Sequence, residues 1–296
     1  GSKSTTSKTV RISSITGVGT LGIQIAAGTG ADEAGNLTLS TTSFVYANIG
    51  PSSIFFVDKA NASKVDPDGL SWGTAFPTIQ EGVDAADANG GGEVWVAKGV
   101  YDEQRTAAVS GALLLKASVG LYGGFDPTVK GATFGDRDWA TNVTTIDASN
   151  GLGTGIPGNH AVLSNSSGSI IDGFVLTGGV ANGTSFTDKR GGGYAATHVL
   201  NTIRNCTIKN NSSEEGGGGI YISAIPNGCA VLNCIIEDNT AGENAGGIYV
   251  GVSSNFVIQN CIFRGNTATT GDGGAIYLTS NASTSIINTE FYDNDA

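Results

Sequence analysis

Short apolar runs, cut by glycine and asparagine, recur at a constant interval in the second half of the chain. One element joins an asparagine to a strand-like run, and its copies are 28, 27 and 28 residues apart, beginning at Asn205, Asn233, Asn260 and Asn288. A second element, Gly/Ala-Ile-Tyr-apolar, follows at a spacing of 28, at 219–222, 247–250 and 275–278. A period held this closely predicts a solenoid, in which each unit covers its neighbour.

The apolar residues of each unit identify the kind of solenoid. They are Ile, Val, Phe and Tyr in short alternating runs, without the 3.6-residue periodicity of a helix. Leucine-rich repeats have a similar period and also stack asparagines, but they place leucines at fixed offsets and include a helical or looser half. The pattern therefore favours an all-β parallel β-helix over that alternative.

The same spacing assigns residues to columns that stack from one winding to the next. The inward columns are Ile203, Val231, Ile258 and Ile286, and Ile208, Ile236, Phe263 and Phe291. Cys206, Cys234 and Cys261 share the parity of the second column, with Thr289 in the fourth copy. Because side chains in a parallel stack point the same way, we expect buried free thiols rather than disulfides; Cys229 is unassigned.

Two polar columns separate the strands. Asparagine tolerates the left-handed backbone that a sharp bend needs, and its amide can bond to the same amide one winding away. We therefore expect structural asparagine ladders at Asn205, Asn233, Asn260 and Asn288, and at Asn211, Asn239, Asn266 and Asn294.

The front of the chain has a different pattern. Apolar residues fall at helical spacing at Phe76, Ile79, Val83 and Ala86. Thr78 and Glu81 form a predicted capping box, and Gly90 to Gly92 end the helix. One amphipathic helix before a stack of windings is expected to cap the open end of the core. We predict a β-helix over 51–296, with its cap at 51–105 and its windings at 106–296.

Residues 1–50 alternate with period two between Gly- and Asn-rich breaks and predict a small antiparallel β segment. The chain starts with Gly-Ser, typical of a tag remnant, and stops within a repeat. We therefore expect a truncated C-terminal end and a longer protein that continues into further repeats or domains.

Composition narrows the function. The net charge of −11 argues against a nucleic-acid partner, because phosphate binding needs a basic face. The chain has only two histidines and no closely spaced cysteine pair of the Cys-x-x-Cys type, so a zinc site is not expected. No apolar run reaches the ~18 residues of a membrane span.

Several motifs resemble known families. Ile54–Glu103, with GLSWGTAFPTIQEGVDAA and EVWVAKGVY, resembles the N-terminal cap of right-handed parallel β-helix surface proteins, and LYGGFD at Leu121–Asp126 continues that resemblance. GGAI at Gly273–Ile276 and FRGN at Phe263–Asn266 resemble the paired GGAI and FxxN repeats of polymorphic outer-membrane proteins, which are secreted adhesins and autotransporter passengers. Thr9–Asn36 is similar to the last strands of bacterial immunoglobulin-like modules.

These resemblances imply an extracellular or cell-surface bacterial protein. On this interpretation the chain is a non-catalytic fragment that acts as an adhesin or as a structural stalk or display rod. The ligand would be a glycan or a protein surface.

Two surface features are candidate sites. Outward-facing tyrosines that alternate with inward isoleucines form a predicted binding stripe at Tyr221, Tyr249 and Tyr277. The alternative is a half-buried ladder covered by a loop. Acidic residues before the glycine turns are candidate Ca²⁺ ligands, at Glu215, Glu243 and Asp272. The alternative is a solvated acidic edge, and no other cofactor is indicated.

Many parallel β-helices are polysaccharide lyases, epimerases or hydrolases, so a carbohydrate-active enzyme is the alternative function. Such an enzyme needs converging carboxylates, with a basic residue in a lyase. Lys209, Glu237 and Arg264 lie in one outward column, where alternating signs predict ion pairs between windings. Asp172 precedes Gly173 and is interpreted as a turn residue. No catalytic residue is predicted.

Overall fold

Strands make up most of the regular secondary structure in the described part of the chain. The computed structural model describes residues 19–21, 47–49, 53–61, 66–129, 133–197, 201–223, 228–279 and 282–296. The chain divides into two compact units, 1–52 and 53–296.

The strands in chain order are β1 Gly19–Leu21, β2 Ala47–Ile49, β3 Ile54–Val57, β4 Gly92–Ala97, β5 Gly99–Tyr101, β6 Leu113–Leu115, β7 Val119–Phe125, β8 Thr144–Asp147, β9 Val162–Ser164, β10 Ser169–Asp172, β11 Val175–Thr177, β12 Val180–Ala181, β13 Tyr194–Thr197, β14 Asn201–Arg204, β15 Thr207–Lys209, β16 Ser212–Ser213, β17 Ile220–Ser223, β18 Ala230–Leu232, β19 Ile235–Glu237, β20 Thr240–Ala241, β21 Ile248–Val250, β22 Ser253–Gln259, β23 Ile262–Arg264, β24 Thr267–Ala268, β25 Ile276–Leu278, β26 Ala282–Ile287 and β27 Glu290–Tyr292. The α-helix is α1, Ile79–Ala88. Short 3₁₀ turns lie at Lys59–Asn61, Trp72–Thr74, Ala107–Val109 and Phe134–Asp136.

In the first unit the described strands β1 and β2 pair antiparallel, with Thr20 opposite Asn48. The immunoglobulin-like resemblance at Thr9–Asn36 lies largely outside the described residues.

The second unit is a parallel β-helix. Its strands form four sheets, numbered here in the order in which one winding crosses them. Sheet I has the order β26-β22-β18-β14-β10-β7-β4-β3, sheet II β27-β23-β19-β15-β11-β8-β5, sheet III β12-β16-β20-β24, and sheet IV β25-β21-β17-β13-β9-β6. Neighbouring strands in each sheet pair in parallel, one from each successive winding. This confirms the predicted solenoid.

The core follows the predicted columns. Ile203 lies beside Val231, which lies beside Ile258, and Ile208 and Ile236 stack in the same way. These side chains are buried at 2% exposure or less. In the last winding Ile286 and Phe291 keep the register but are over 40% exposed, because that winding has a neighbour on one side only.

The cysteine column is also as predicted. Cys206, Cys234 and Cys261 are buried free thiols, and their Sγ atoms lie near main-chain carbonyl oxygens of the preceding winding. Cys229, which the sequence left unassigned, is a fourth buried thiol. Its Sγ accepts a hydrogen bond from the main-chain amide of Asn201 at 3.2 Å.

Both asparagine ladders form, in different environments. The first ladder lies at bends with φ near +50°, and Asn233 Nδ2 donates to Asn205 Oδ1 at 3.2 Å on the exposed surface. The second ladder is buried, and Asn211 Nδ2 donates to Asn239 Oδ1 at 3.0 Å. In each case the side-chain amide ties one winding to the next.

Helix α1 closes the N-terminal end of the second unit's core. The predicted capping box is present, with Thr78 as N-cap and Glu81 reaching back to its backbone amide. Ile79, Val83 and Ala86 are fully buried. Gly82 allows this close packing, because a Cβ there would lie 2.6 Å from a methyl group of Val57.

Within the described residues, the structure has no helix with the length and apolarity of a membrane span.

Candidate ligand-binding face

The outer face of sheet IV carries a row of stacked tyrosines. Tyr221, Tyr249 and Tyr277 occupy one register position on β17, β21 and β25. Their ring centroids are 5.0 and 5.2 Å apart along the helix axis, with interplanar angles of 30° and 25°. The strand period of two turns the flanking residues, such as Ile248, into the core. These three tyrosines are called the tyrosine ladder below.

The first ring of the ladder is covered, whereas the outer edges of the next two, called the open end below, are partly exposed. Tyr221 is only 2% exposed, whereas Tyr249 and Tyr277 are half-buried. Phe186 packs edge-on to Tyr221 at 6.2 Å, and its own ring is 62% exposed. The Arg190 guanidinium lies 3.8 Å from the centroid of Phe186. The sequence left open whether the tyrosines form an exposed binding stripe or a half-buried ladder covered by a loop. In the structure a loop covers the first ring, Tyr221, and leaves Tyr249 and Tyr277 partly exposed.

The covering loop, residues 182–190, is held by charged and polar contacts. Asp188 Oδ1 accepts a hydrogen bond from Ser110 Oγ at 2.8 Å and lies 3.7 Å from Nε2 of the buried His160. Arg190 forms an ion pair with Glu215, and Lys189 binds Glu214 at 2.9 Å. These contacts fix Phe186 and Arg190 in place at the end of the ladder.

Acidic side chains line the turn beside the ladder. Glu215 and Glu243 are equivalent by strand register, and the Glu243 amide donates to the Glu215 carbonyl at 2.9 Å. Asp272 is one position later, equivalent to Asn244, whose Oδ1 accepts from the Asp272 amide at 3.0 Å. The three predicted acids therefore follow the ladder but do not form one straight column.

The electrostatic state of this edge differs along its length. Glu215 is neutralised by Arg190 and Lys189. Glu243 and Asp272 are exposed, and no basic group of the described chain lies within 4 Å of them. The pKa of Tyr249 is raised by burial, then by the neighbouring tyrosines, and Arg190 lowers it by more than Glu243 raises it. The open end of the ladder is therefore its negative end.

Calcium binding at this edge stays a prediction. Among the residues that the structure describes, no group of three or more His, Cys, Asp or Glu side chains is arranged to hold a metal ion. A Ca²⁺ ion usually takes six to eight oxygen ligands, so carbonyl or solvent oxygens would have to complete the shell.

A second polar cluster lies on the outer face of sheet I, around Asp172. This carboxylate is 2% exposed. It accepts from Arg137 Nη2 at 3.0 Å, from Arg204 Nε at 2.7 Å and from Asn205 Nδ2 at 2.8 Å. Burial raises its pKa, but the hydrogen bond and charge of Arg137, with help from Asn205 and Arg204, hold the pKa below its usual value.

Arg137 fastens a long connection across sheet I. Its guanidinium carbon lies 4.8–5.5 Å from four ring centroids, those of Tyr122, Phe125, Phe134 and Trp139. Because both oxygens of Asp172 already accept hydrogen bonds from charged or amide donors, this carboxylate is poorly placed to act as a base or nucleophile. The arrangement is that of an anchoring ion pair.

The sequence interpretation of Asp172 was incomplete. Asp172 does precede a turn, with Gly173 at φ +83°, but it ends strand β10 and is the centre of a buried charge cluster. Its main partner is 35 residues away, in the connection between β7 and β8. The predicted ion pairs of the other outward column form only between Glu237 and Arg264, at 2.6 Å; within the described residues Lys209 has no such pair.

The chain belongs to the family described as right handed beta helix region, whose family model matches residues 140–296. The fold is accordingly a right-handed parallel β-helix. No curated protein sequence matches the chain.

Solved structures give weak matches. A candidate glycosyl hydrolase from Parabacteroides merdae is 13% identical, with 81% of this chain and 98% of that chain covered and a TM-score of 0.45. Pectin methylesterase from Aspergillus niger is 15% identical, with 83% and 87% covered and a TM-score of 0.33. Tailspike protein gp49 of Acinetobacter baumannii bacteriophage Fri1, a capsular polysaccharide depolymerase, is 12% identical, with 85% and 59% covered and a TM-score of 0.23. These TM-scores and identities do not support assigning the activity of any of these proteins to this chain.

Proposed function

We propose that this chain is a non-catalytic, glycan-binding part of an extracellular bacterial surface protein. The β-helix is its rigid scaffold, and the open end of the tyrosine ladder is its contact surface. The observation that carries the proposal is a continuous row of four aromatic rings, in the order Phe186, Tyr221, Tyr249 and Tyr277. Tyr221 is covered, and the other three rings are at least partly exposed.

Aromatic side chains on a rigid scaffold suit sugar binding. Because the tyrosines stack on one another, they offer a pyranose their ring edges for apolar contact and their hydroxyls as hydrogen-bond partners. Phe186 is 62% exposed although it is a large apolar residue. Because the loop that carries it is pinned by Asp188 and Arg190, little conformational entropy is lost on binding.

Surface location is supported by the repeat motifs. GGAI at Gly273–Ile276 and FRGN at Phe263–Asn266 resemble the repeats of polymorphic outer-membrane proteins, which are secreted adhesins. A solenoid that continues by adding windings makes a stiff rod, as an adhesin or display stalk requires.

Glycan-array screening followed by calorimetry tests the proposal. We expect the Tyr249→Ala/Tyr277→Ala double variant to lose at least about fivefold in affinity for the glycan selected, since each aromatic contact contributes about 0.5–1.5 kcal/mol. Tyr292→Ala is the matched control, because Tyr292 is a partly exposed tyrosine on sheet II. Unchanged affinity in the double variant would refute the ladder as the binding surface. Titration with Ca²⁺, with and without Glu243→Gln, tests the metal prediction in the same assay.

A carbohydrate-active enzyme is the second candidate. The specific observation in its favour is the outward cluster of Asp172, Arg137 and Arg204, of which Arg204 has a side chain that is 36% exposed. Incubation with polyuronates and Ca²⁺, followed by ultraviolet detection of unsaturated products, tests a lyase, and reducing-sugar release tests a hydrolase. Turnover that is lost in Asp172→Asn, in a variant whose circular dichroism and melting temperature match the wild type, would establish this alternative; absence of turnover would count against it.

A further inference from the structure

The tyrosine ladder constrains the shape of its ligand. Its rings follow one another along the helix axis at 5.0 and 5.2 Å, the separation of successive windings. This step is close to the length of one pyranose unit in an extended β-linked glycan. A ligand that contacts both open rings, Tyr249 and Tyr277, must therefore run along the axis, across the strands.

The ladder's surroundings constrain the charge of that ligand. Glu243 and Asp272 lie in the turns that lead into strands β21 and β25, which carry the open rings. Both acids are exposed, and no basic group of the described chain lies within 4 Å of either. Glu243 helps to raise the pKa of Tyr249, and Arg190, whose charge is paired with Glu215, opposes that shift. The chain as a whole carries a net charge of −11. A uronate polymer would be repelled here, and a positively charged chain would be attracted.

The nearest cation is not available to an acidic sugar. Arg190 pairs with Glu215, donates from Nη1 to the Phe186 carbonyl at 2.6 Å and stacks on the Phe186 ring. Lys189 is engaged by Glu214. The positive charges of the covering loop are therefore paired with carboxylates of the protein itself. The two carboxylates at the open end have no basic partner within 4 Å in the described chain.

We infer that the ligand is a linear glycan of amino sugars with free, protonated amino groups, which lies along the ladder with its amines toward Glu243 and Asp272. This inference rests on the proposed glycan-binding function and adds the charge and direction of the ligand. Aromatic contact supplies shape selection, and the carboxylates supply charge selection.

Two oligosaccharides that differ only in charge test the inference. β-1,4-linked glucosamine oligomers and their N-acetylated counterparts of equal length are titrated calorimetrically at mildly acidic pH. We expect the glucosamine oligomer to bind about two- to thirtyfold more tightly, since each of the two exposed carboxylate–ammonium pairs contributes about 1.4- to fivefold. The preference should shrink as salt is added, because exposed charges are screened.

Variants separate the charge from the aromatic contact. Glu243→Gln/Asp272→Asn should reduce the affinity for the glucosamine oligomer to that of the acetylated one and leave the latter unchanged. Glu290→Gln, an exposed acid on β27, is the matched control and should change neither affinity. Circular dichroism of each variant checks the fold.

Other outcomes are equally decisive. Equal affinity for the two oligomers, or tighter binding of the acetylated form or of an oligogalacturonate, overturns the charge inference while glycan binding stands. If the wild-type protein binds no oligosaccharide of any charge, the proposed function fails and the inference fails with it.

Discussion

Removal of one rung of the buried asparagine ladder should destabilise the whole solenoid. Asn239 is fully buried and its side chain makes four hydrogen bonds. Nδ2 donates to the Ile208 carbonyl at 2.9 Å and to Asn266 Oδ1 at 3.0 Å. Oδ1 accepts from the Asn211 amide at 3.1 Å and from Asn211 Nδ2 at 3.0 Å. Three windings are therefore joined through one side chain.

The magnitude follows from those four bonds. At a net contribution of about 0.5–1.5 kcal/mol each, Asn239→Ala should lower the free energy of unfolding by about 2–6 kcal/mol. The matched variant is Asn260→Ala, in the exposed ladder. The side-chain Nδ2 of Asn260 donates a 3.0 Å hydrogen bond to Asn233 Oδ1, and the backbone φ of Asn260 is +54°. Its expected cost is about 1 kcal/mol, chiefly from the left-handed backbone.

Urea denaturation followed by far-ultraviolet circular dichroism and by tryptophan fluorescence measures both variants. All three tryptophans lie between Trp72 and Trp139, so fluorescence reports the N-terminal windings and circular dichroism reports all of them. We expect both signals to shift to lower urea in Asn239→Ala. Equal effects of the two substitutions would contradict the assignment of stability to the buried ladder.

Three further predictions concern buried ionisable groups. Burial lowers the pKa of His160 below its unfolded value near 6.5, so the unfolded state binds the extra proton and the free energy of unfolding should fall as the pH drops below about 6.5. Thermal melts of His160→Gln should lack this component, and an identical pH dependence would disprove it. Arg137→Gln, which strips a buried carboxylate of its main partner, should cost about 3–5 kcal/mol in urea titrations, against less than about 1 kcal/mol for the exposed Lys98→Gln. All four cysteines are buried, so Ellman's reagent should detect almost no thiol in the native protein and four after denaturation; fast native labelling would be inconsistent with the stacked core.

The repeat made the windings predictable from the sequence. Once Asn233 and Asn260 are aligned, strand register fixes every stacked position, because a slip by one residue would turn core side chains outward. The helix cap was equally predictable, since the capping box of Thr78 and Glu81 is a local sequence pattern that does not depend on tertiary contacts. Local and periodic patterns thus account for the fold and for the position of the tyrosine ladder.

Features outside the period could not be found in this way. The loop that carries Phe186 and Arg190 is an insertion between β12 and β13. Its one sequence signal is Phe186, an aromatic residue in an otherwise polar stretch. The pairing of Arg137 with Asp172 joins a connection to a strand end and has no sequence spacing to reveal it. Both depend on tertiary contacts between segments without repeat symmetry.

The most direct test of the account is a crystal structure of the protein with a bound glucosamine oligomer. The account predicts sugar rings against Tyr249 and Tyr277, in a chain that runs along the helix axis with amino groups near Glu243 and Asp272. Sugar density over Asp172 on sheet I, or a chain that runs along the strands instead of across them, would contradict it.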